Sequence, residues 1–213
     1  MAKEGISFIV VFLIPAVSLL MLGFWLAAVP FLLLAAFMVF FFRDPERPIT
    51  TDKTAIVSPA DGRVLIAGPV EPGSSDSPTQ ISIFLSPMDV HINRSPMEGE
   101  IVDVTYRPGA FHVASRDIAS VENEQNVVTV RGEDTTIVFR QIAGILARRI
   151  VLWKRAGDRV GAGERIGLMK FSSRMDVIMP HDVNVLVRKG DRVVGGITVI
   201  GRIPRAAAKR QEI

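Results

Sequence analysis

The chain contains no cysteine among its 213 residues, which excludes disulfide bonds and thiolate metal sites and is consistent with a reducing compartment. Histidine is also scarce, with three copies, so few side chains can exchange a proton near neutral pH. The net charge of +3 is modest, and no basic pattern interleaved with aromatic residues is evident. We therefore expect no nucleic-acid partner and no thiolate metal site.

Charge is missing from a long N-terminal stretch, because no charged residue occurs between Gly5 and Phe42. About 20 apolar residues in a helix cross a hydrocarbon core, so this run is too long for one ordinary span and long enough for two short ones. Gly23, with Pro30 nearby, marks where the chain could turn. A secretory signal peptide would have a shorter apolar core and a small-residue cleavage site, and neither is evident in this sequence. We predict a membrane-associated helical hairpin over residues 1–43.

Basic residues flank this hairpin on both sides, with Lys3 before it and Arg43 and Arg47 after it. Positive charge favours the cytoplasmic face of a membrane. The pattern predicts a cytoplasmic-membrane protein whose following domain is on the cytoplasmic side. Whether the hairpin spans the bilayer or lies within one interface is left open. Basic residues that could favour an anionic lipid surface also occur near the C-terminus, namely Arg202, Arg205, Lys209 and Arg210.

Beyond the hairpin, a proline-stiffened polar linker over 44–53 leads into a domain over 54–213, a length that suits a single core. No long amphipathic helix is evident in this domain. Short runs rich in Val, Ile and Phe recur between turn signals, which predicts a mainly β fold. The predicted strands are Gly62–Ala67, Gln80–Leu85, Ile101–Tyr106, Asn126–Arg131, Thr135–Gln141, Arg174–Met179 and Thr198–Arg202.

A weak internal repeat, Gly-Asp-Arg-Val, begins at Gly157 and again at Gly190. It predicts two similar hairpin units packed on each other. The pattern is similar to the hammerhead fold of lipoyl and biotinyl carrier domains, in which such a turn leads towards a modified lysine. Lys170 would be that lysine in a carrier domain. Against this alternative, Lys170 is followed by Phe171, two serines and another predicted strand rather than lying at an exposed hairpin tip.

Three polar segments carry candidate chemistry. The first, Ser58-Pro59-Ala60-Asp61-Gly62, places a carboxylate in a turn at the head of a strand. The second, from Ser86 to Pro96, brings an acid, an imidazole, an amide and a guanidinium together and contains His91; His112 and His181 lack such neighbours and are interpreted as surface residues. The third sets two serines, Ser172 and Ser173, in an apolar, strand-like run from Gly167 to Val177, where an unpaired hydroxyl would be costly.

Together these segments strongly resemble the phosphatidylserine decarboxylases, in their short form with a membrane hairpin. The resemblance covers nearly the whole soluble domain and rests on the order and spacing of its motifs. These are Ser58-Pro59-Ala60-Asp61-Gly62, Ser86-Pro87-Met88-Asp89-Val90-His91, Asn93-Arg94-Ser95-Pro96, Asn123-Glu124 and Lys170-Phe171-Ser172-Ser173-Arg174.

The resemblance implies a proenzyme that cleaves itself between residues 172 and 173, giving a β chain of 1–172 and an α chain of 173–213 that remain together as a heterodimer; further dimerisation is left open. Ser173 would be the nucleophile and would become a pyruvoyl group, the self-derived cofactor, with no metal required. The implied reaction converts phosphatidylserine into phosphatidylethanolamine through a Schiff base with the substrate amine, with the bilayer supplying the lipid.

The resemblance also implies roles for other residues. Asp61 and His91 are expected to act together in proton transfer, with Asp61 either orienting the His91 imidazole or favouring its charged form. Five residues are assigned to substrate binding, although solvated charges at strand ends remain an alternative for the basic ones: Arg94, Asn123, Glu124, Lys170 and Arg174. Arg94 occupies the place of a second histidine found in longer family members, and it cannot act as a base near neutral pH, where arginine stays protonated.

Ser172 departs from the family pattern, which usually has glycine before the reacting serine. A side chain there could hinder the attack, because glycine adopts backbone angles that serine disfavours. Ser172 could be a tolerated variant, an engineered block, or a sign of lost processing.

A second enzyme class also stays open, namely a membrane-anchored serine hydrolase using Ser173, His91 and Asp61. No Gly-x-Ser-x-Gly elbow supports that class.

Overall fold

A computed structural model describes residues 1–145, 150–171 and 173–204. The chain begins with a 3-10 turn at Lys3–Gly5 and continues through two antiparallel helices, α1 (Ile6–Met21) and α2 (Trp25–Phe41). Gly23 lies between the helices with a φ of 82°, as predicted for the turn. The Ala2 N–H donates to the Phe42 carbonyl over 2.9 Å, so the two ends of the hairpin meet.

The hairpin packs through small side chains and exposes large ones. Ala16 and Ala28 are fully buried where the helices meet, whereas Met21, Leu26 and Leu33 are among many exposed apolar residues. Within the described ranges, Lys3–Met21 is the one helix long and apolar enough to cross a membrane; Trp25–Phe41 is equally apolar in character but shorter. So much outward apolar surface is typical of a segment that contacts lipid.

The domain after the hairpin is mainly β, as predicted, with one short helix, α3 (Ala119–Glu122), in its described part. Each strand predicted from alternation is present to within a few residues at its ends. The remaining strands have two to five residues, too few to show a pattern. In chain order the strands are β1 (Ala55–Val57), β2 (Gly62–Pro69), β3 (Thr79–Leu85), β4 (Ile92–Arg94), β5 (Gly99–Arg107), β6 (Gln125–Arg131), β7 (Thr136–Ala143), β8 (Ile150–Leu152), β9 (Arg159–Val160), β10 (Arg165–Met169), β11 (Ser173–Met179), β12 (Asn184–Val185), β13 (Arg192–Val193) and β14 (Val199–Arg202).

The strand order divides this domain into two equivalent halves. The large sheet runs β13-β2-β3-β11-β7-β6-β5-β9, and the two small sheets run β1-β14-β12 and β4-β10-β8. One half is formed by β1–β3 with β11–β14, and the other by the continuous run β4–β10. Each strand of the first half therefore has a counterpart in the second, which confirms the prediction of two similar units and extends it beyond the Gly-Asp-Arg-Val turns.

Reciprocal hydrogen bonds join the halves at their centre. The Val57 N–H donates to the Pro96 carbonyl, and the Arg94 N–H donates to the Pro59 carbonyl, both over 2.8 Å. These bonds belong to matching motifs, Ser58-Pro59-Ala60-Asp61-Gly62 and Ser95-Pro96-Met97-Glu98-Gly99, which share the pattern Ser-Pro-x-acid-Gly. The sequence places Ser95 and Pro96 in a polar segment and in a family motif, but it does not indicate that they are equivalent to Ser58 and Pro59.

The chain passes between the halves twice. The first crossing segment, residues 86–91, connects β3 to β4. The second lies between β10 and β11, and its described residues are Lys170 and Phe171. The strand-like run from Gly167 to Val177 is therefore divided between β10 and β11, and the predicted strand Arg174–Met179 corresponds to β11. Its two parts lie in different sheets because they belong to different halves.

Two apolar clusters stabilise this arrangement. The main core lies between the sheets and includes Ile83, Phe139 and Val177. A second cluster lies where the hairpin meets the domain and includes Phe41, Phe42, Val90, Ile92 and Leu168. The base of the hairpin is thereby packed directly on β4 and β10, next to both crossing segments.

Candidate active site

Ser173 is the first residue of β11 and is fully buried. It pairs with Leu85 of β3 on one side and with Ala143 of β7 on the other. Within the described part of the chain, its Oγ has no hydrogen-bond partner. A buried hydroxyl without a partner costs about 1–3 kcal/mol, so its retention points to a chemical use. Its neighbour Ser172 lies outside the described residues, as do Arg205, Lys209 and Arg210.

Asn123 and Glu124 fix the strand end beside Ser173. The Asn123 side-chain amide donates to the Ala143 carbonyl over 2.7 Å and to the His112 carbonyl over 2.8 Å. The Ala143 N–H donates to the Glu124 carbonyl over 2.9 Å. These two residues were predicted from the family pattern to bind substrate. The structure places both residues in contact with Ala143, which pairs with Ser173 across the sheet. The side-chain amide of Asn123 is bonded to backbone carbonyls there.

His91 ends the first crossing segment and is 2% exposed. Its Nδ1 lies 3.0 Å from the Asp89 carbonyl oxygen, which can only accept, so Nδ1 carries the proton. Its Nε2 is buried and has no partner among the described residues. Burial lowers the pKa of His91 to about 4, against the smaller opposing influence of Asp89 and Asp61. The imidazole is therefore neutral at pH 7, with Nε2 able to accept a proton.

One aromatic ring contacts both crossing segments. The Phe41 ring lies 4.2 Å from the His91 ring and 4.6 Å from the Phe171 ring, measured between centroids. Phe171 has a φ of 57°, which is unusual for a residue with a Cβ and costs about 1–3 kcal/mol. The strained residue immediately precedes the two serines. Phe41 carried no signal in the sequence, because it is one of many phenylalanines in an apolar run.

Asp61 has strong partners other than His91. Its carboxylate oxygens accept hydrogen bonds from Arg47 at 2.6 and 2.9 Å, and Oδ1 also accepts from the Gly195 N–H at 2.8 Å. No hydrogen bond joins Asp61 to His91 in the described ranges. The negative charge of Asp61 still favours protonation of His91. Asp61 was expected either to orient the His91 imidazole by a hydrogen bond or to act on it through its negative charge. The geometry favours the second.

Two of the predicted substrate-binding residues have their guanidinium groups buried among protein partners. Arg94 donates to the carbonyls of Gly163 and Pro45 at 2.9 and 3.0 Å, which ties the linker to the domain. Arg174 donates to Asp176 at 2.6 Å and to Ser82 at 2.8 Å. Because alternate residues of a strand face opposite sides, the Arg174 side chain lies on the other face of β11 from Ser173.

Breaking the Arg174–Asp176 pair tests whether Arg174 is structural. Asp176 is fully buried and also pairs with Arg140 at 3.0 Å. We expect Asp176→Ala to lower the free energy of unfolding by about 3–5 kcal/mol, because it leaves buried cations without a counter-charge. Urea denaturation in detergent measures this. As a control, Lys53→Ala breaks an exposed pair with Glu133 and should cost less than about 1 kcal/mol. A small loss for Asp176→Ala would contradict the structural role.

Lys170 lies in the second crossing segment, with its Nζ 5.1 Å from the centroid of the Phe8 ring of α1. It is thus at the base of the hairpin rather than at an exposed hairpin tip, unlike the lysine of a carrier domain.

His112 and His181 behave as predicted for surface residues. His112 is half-exposed and pairs with Glu122 at 3.0 Å, and His181 is exposed in a turn.

A buried amide network next to β11 was missed from the sequence. Gln141 donates to Asn93 over 2.8 Å and accepts from Asn126 over 3.2 Å. Gln141 pairs with Met175, two residues along the strand from Ser173. Its signal was a lone amide at an inward position of β7. Within the described residues, no group of three or more His, Asp or Glu is arranged to hold a metal ion.

The fold and the site define a class of protein. It has a duplicated β domain packed against an apolar hairpin. A neutral histidine, His91, ends the first chain crossing, and a buried serine, Ser173, follows the second. Comparison with known proteins identifies that class. The phosphatidylserine decarboxylase family model matches residues 34–201. The chain belongs to the phosphatidylserine decarboxylase family, which confirms the resemblance found in the sequence and, with it, membership of a family of carboxy-lyases.

Several relatives named phosphatidylserine decarboxylase proenzyme are similar over most of their length. The protein of Solibacter usitatus (strain Ellin6076) is 52% identical over 182 residues, covering 84% of this chain and 86% of its own. That of Symbiobacterium thermophilum is 46% identical over 209 residues, covering 96% of both chains. That of Carboxydothermus hydrogenoformans is 43% identical over 206 residues, covering 95% of this chain and 96% of its own.

Proposed function

We propose that this protein converts phosphatidylserine into phosphatidylethanolamine after cleaving itself between residues 172 and 173. The observation that carries the proposal is the buried Ser173 hydroxyl, which has no partner among the described residues and begins a strand at a chain crossing. Family membership supports the overall reaction. The self-cleavage and the pyruvoyl group are the finer parts of the proposal.

Self-cleavage would begin with Ser173. Its Oγ attacks the carbonyl carbon of residue 172, the C–N bond breaks, and the amide becomes an ester with a free amine at residue 173. A base then removes the Ser173 Cα proton, and the carboxylate of residue 172 leaves. The dehydroalanine that remains tautomerises, takes up water and releases ammonia, which leaves a pyruvoyl group. Atoms balance with one water consumed and no oxidant needed.

The surroundings of Ser173 fit such a group. Leu85 and Ala143 flank the position in a buried strand, and Asn123 holds the Ala143 carbonyl. These residues would keep the group fixed and largely dry. When present, a pyruvoyl group supplies an electrophilic carbonyl that can bind an amine and accept electrons as carbon dioxide leaves. No further cofactor is part of the proposal.

His91 is our candidate for moving the proton at Ser173, because its Nε2 is neutral, buried and without a partner among the described residues. Asp61 would act through its charge, from its site beside Arg47. For substrate binding, we propose Lys170 as the first contact for the anionic head group. It lies at the base of the hairpin, where a lipid head group would be presented. Arg94, Asn123, Glu124 and Arg174 would support the site through the contacts described above.

We further propose that the hairpin places the site at the cytoplasmic face of the cytoplasmic membrane, with the two chains formed by cleavage remaining together. Extracting a two-chain lipid into water is opposed by about 0.8 kcal/mol per exposed methylene. A hairpin with outward-facing apolar side chains would remove that step by holding the site at the bilayer surface.

The test combines mass spectrometry of the denatured protein with an assay on vesicles containing phosphatidylserine. We expect two fragments, 1–172 and 173–213, the smaller with a blocked N-terminus, and release of carbon dioxide with formation of phosphatidylethanolamine. An intact chain acylated on Ser173 by a fluorophosphonate would instead indicate a serine hydrolase. A biotinyl or lipoyl adduct on Lys170 would indicate a carrier domain.

Ser172 provides a separate prediction, since it stands where the family pattern usually has glycine. Ser172→Gly should speed self-cleavage, because removing the Cβ widens the backbone angles open to the attacked residue. The expected increase is about tenfold if the side chain adds about 1.4 kcal/mol to the barrier. The measurement is the time course of fragment formation after synthesis, with Ser172→Ala as the matched control that keeps a Cβ. Equal rates for serine, alanine and glycine would show that this position does not limit processing.

A further inference from the structure

The second helix of the hairpin ends inside the site rather than beside it. Phe41, its last residue, is fully buried, although the helix exposes apolar side chains along most of its length. The Phe41 ring stacks on the Phe171 ring with an interplanar angle of 24° and lies against the His91 ring at 35°. A single side chain of the hairpin therefore touches both of the segments through which the chain crosses between the halves.

The contacts of Phe41 fall on the two groups whose positions matter for cleavage. His91 carries the candidate base, and Phe171 precedes the two serines with a φ of 57°. A residue with a Cβ keeps such an angle only where its surroundings enforce it. Phe171 is enclosed by three rings of the hairpin, with Phe8 and Phe42 at 6.0 and 6.4 Å in addition to Phe41. The hairpin thus supplies the packing that holds this backbone angle.

We propose that Phe41 is a positioning residue for self-cleavage, orienting the His91 imidazole and holding the Phe171 backbone before the bond that is cut. The membrane hairpin is then a structural part of the processing site as well as an anchor. This inference rests on the proposed function, since it assigns Phe41 to the cleavage step. It concerns a residue outside every motif that carried the family resemblance.

The electrostatic surroundings of His91 make the role measurable. The ring is influenced by Asp89 on its own segment, by Asp61 at the head of β2 and by Arg43 just after α2, and Lys170 lies on the opposite crossing segment. Arg192 pairs with Asp89 at 2.6 Å and so offsets part of its charge. Burial is the largest influence and lowers the pKa of His91 to about 4. Phe41 provides part of that burial, so its removal should let His91 take up a proton at higher pH.

The experiment compares Phe41→Ala, Phe41→Leu and the wild type, each as the full chain in detergent micelles, so that membrane attachment does not enter. Phe24→Ala, in the exposed turn of the hairpin, is the matched control. Self-cleavage is followed by fragment formation. Protonation of His91 is followed by NMR, with the signal assigned by its loss in His91→Gln. Thermal unfolding confirms that each variant is folded.

We expect Phe41→Ala to slow self-cleavage about tenfold or more, which corresponds to about 1.4 kcal/mol in the barrier. Its His91 should begin to titrate between about pH 5 and 7, as an exposed histidine does, whereas the wild-type ring should stay neutral there. Phe41→Leu should keep the ring neutral, because it keeps the site dry, and yet cleave slowly, because it lacks a flat face. Phe24→Ala should match the wild type in both respects.

Unchanged cleavage and unchanged titration in folded Phe41→Ala would overturn the proposal. If Phe41→Ala does not fold, Phe41→Leu provides the test. Self-cleavage of that variant at the wild-type rate would also overturn the proposal. If the wild type itself does not cleave, the proposed function fails at that step. The titration then still decides whether Phe41 controls the environment of His91, since it requires no activity.

Discussion

Replacing Ser173 by alanine is expected to leave one uncut chain that has no pyruvoyl group and no measurable decarboxylase activity. Alanine lacks the Oγ that forms the ester, and it lacks the leaving group whose loss produces the dehydroalanine. No other residue can supply both, because the new carbonyl forms on the backbone of residue 173 itself. The loss should therefore be complete rather than partial. Intact mass and carbon dioxide release from vesicles containing phosphatidylserine measure the two consequences separately.

The matched control for this prediction is Ser95→Ala. Ser95 is also fully buried, but its Oγ donates to the Met97 carbonyl over 2.7 Å. We expect that variant to lose about 1 kcal/mol of stability and to cleave normally. Ser173→Ala should be about as stable as the wild type, because it removes a hydroxyl that has no partner in the described part of the chain. Cleavage of Ser173→Ala at the same bond would contradict the proposal. Cleavage between residues 171 and 172 would instead transfer the nucleophilic role to Ser172, because a serine attacks the carbonyl of the residue before it.

The long strands were predictable because alternation of apolar and polar residues determines which face of a strand is buried. In β7, for example, Ile137 and Phe139 face the core while Thr136 is exposed. Strands such as β9 and β13 have only two residues, so they carry no period of their own. They exist because the Gly-Asp turns hold them against β5 and β2. In these places tertiary contacts, rather than local pattern, determine the structure.

The duplication was only partly visible for a related reason. The two halves share few side chains, and their likeness lies in backbone hydrogen bonds. The Gly163 N–H donates to the Ser95 carbonyl over 2.8 Å, and the Gly196 N–H donates to the Ser58 carbonyl over 2.7 Å. Such bonds require a small residue and a turn, which many sequences satisfy. The sequence therefore indicated a repeat, whereas the structure identified its extent and its crossing points.

The candidate site divides in the same way. Ser173 and His91 could be selected as candidates from the sequence, because their chemistry is tied to residue type and to motifs along the chain. Phe41 was not, since an aromatic residue at the end of an apolar helix is expected for packing against lipid or protein. The Asp61–Arg47 pair was not predicted either, because it joins the turn before β2 to the linker. Contacts between residues far apart in the chain depend on the fold, and a local motif cannot specify them.

Replacing His91 is the second change for which we expect a very large effect. His91→Phe keeps a flat ring against Phe41 and removes both nitrogens, so its effect is chemical rather than a loss of packing. General acid–base catalysis by a positioned side chain contributes about 10²–10⁴-fold, and self-cleavage should slow by that factor. Because burial lowers the pKa of His91 to about 4, the wild-type rate should vary little between about pH 5 and 8.

Two measurements distinguish the steps that His91 serves. The rate of fragment formation reports self-cleavage, and carbon dioxide release divided by the amount of pyruvoyl-bearing fragment reports decarboxylation by chains that have already matured. His181→Phe is the control, since His181 is exposed in a turn and contributes to none of the contacts described for the site. If His91→Phe and His91→Ala both cleave at the wild-type rate, the base is another group, and the charge of Asp61 on His91 has no part in processing. If cleavage slows while decarboxylation per matured chain is unchanged, His91 acts in maturation alone.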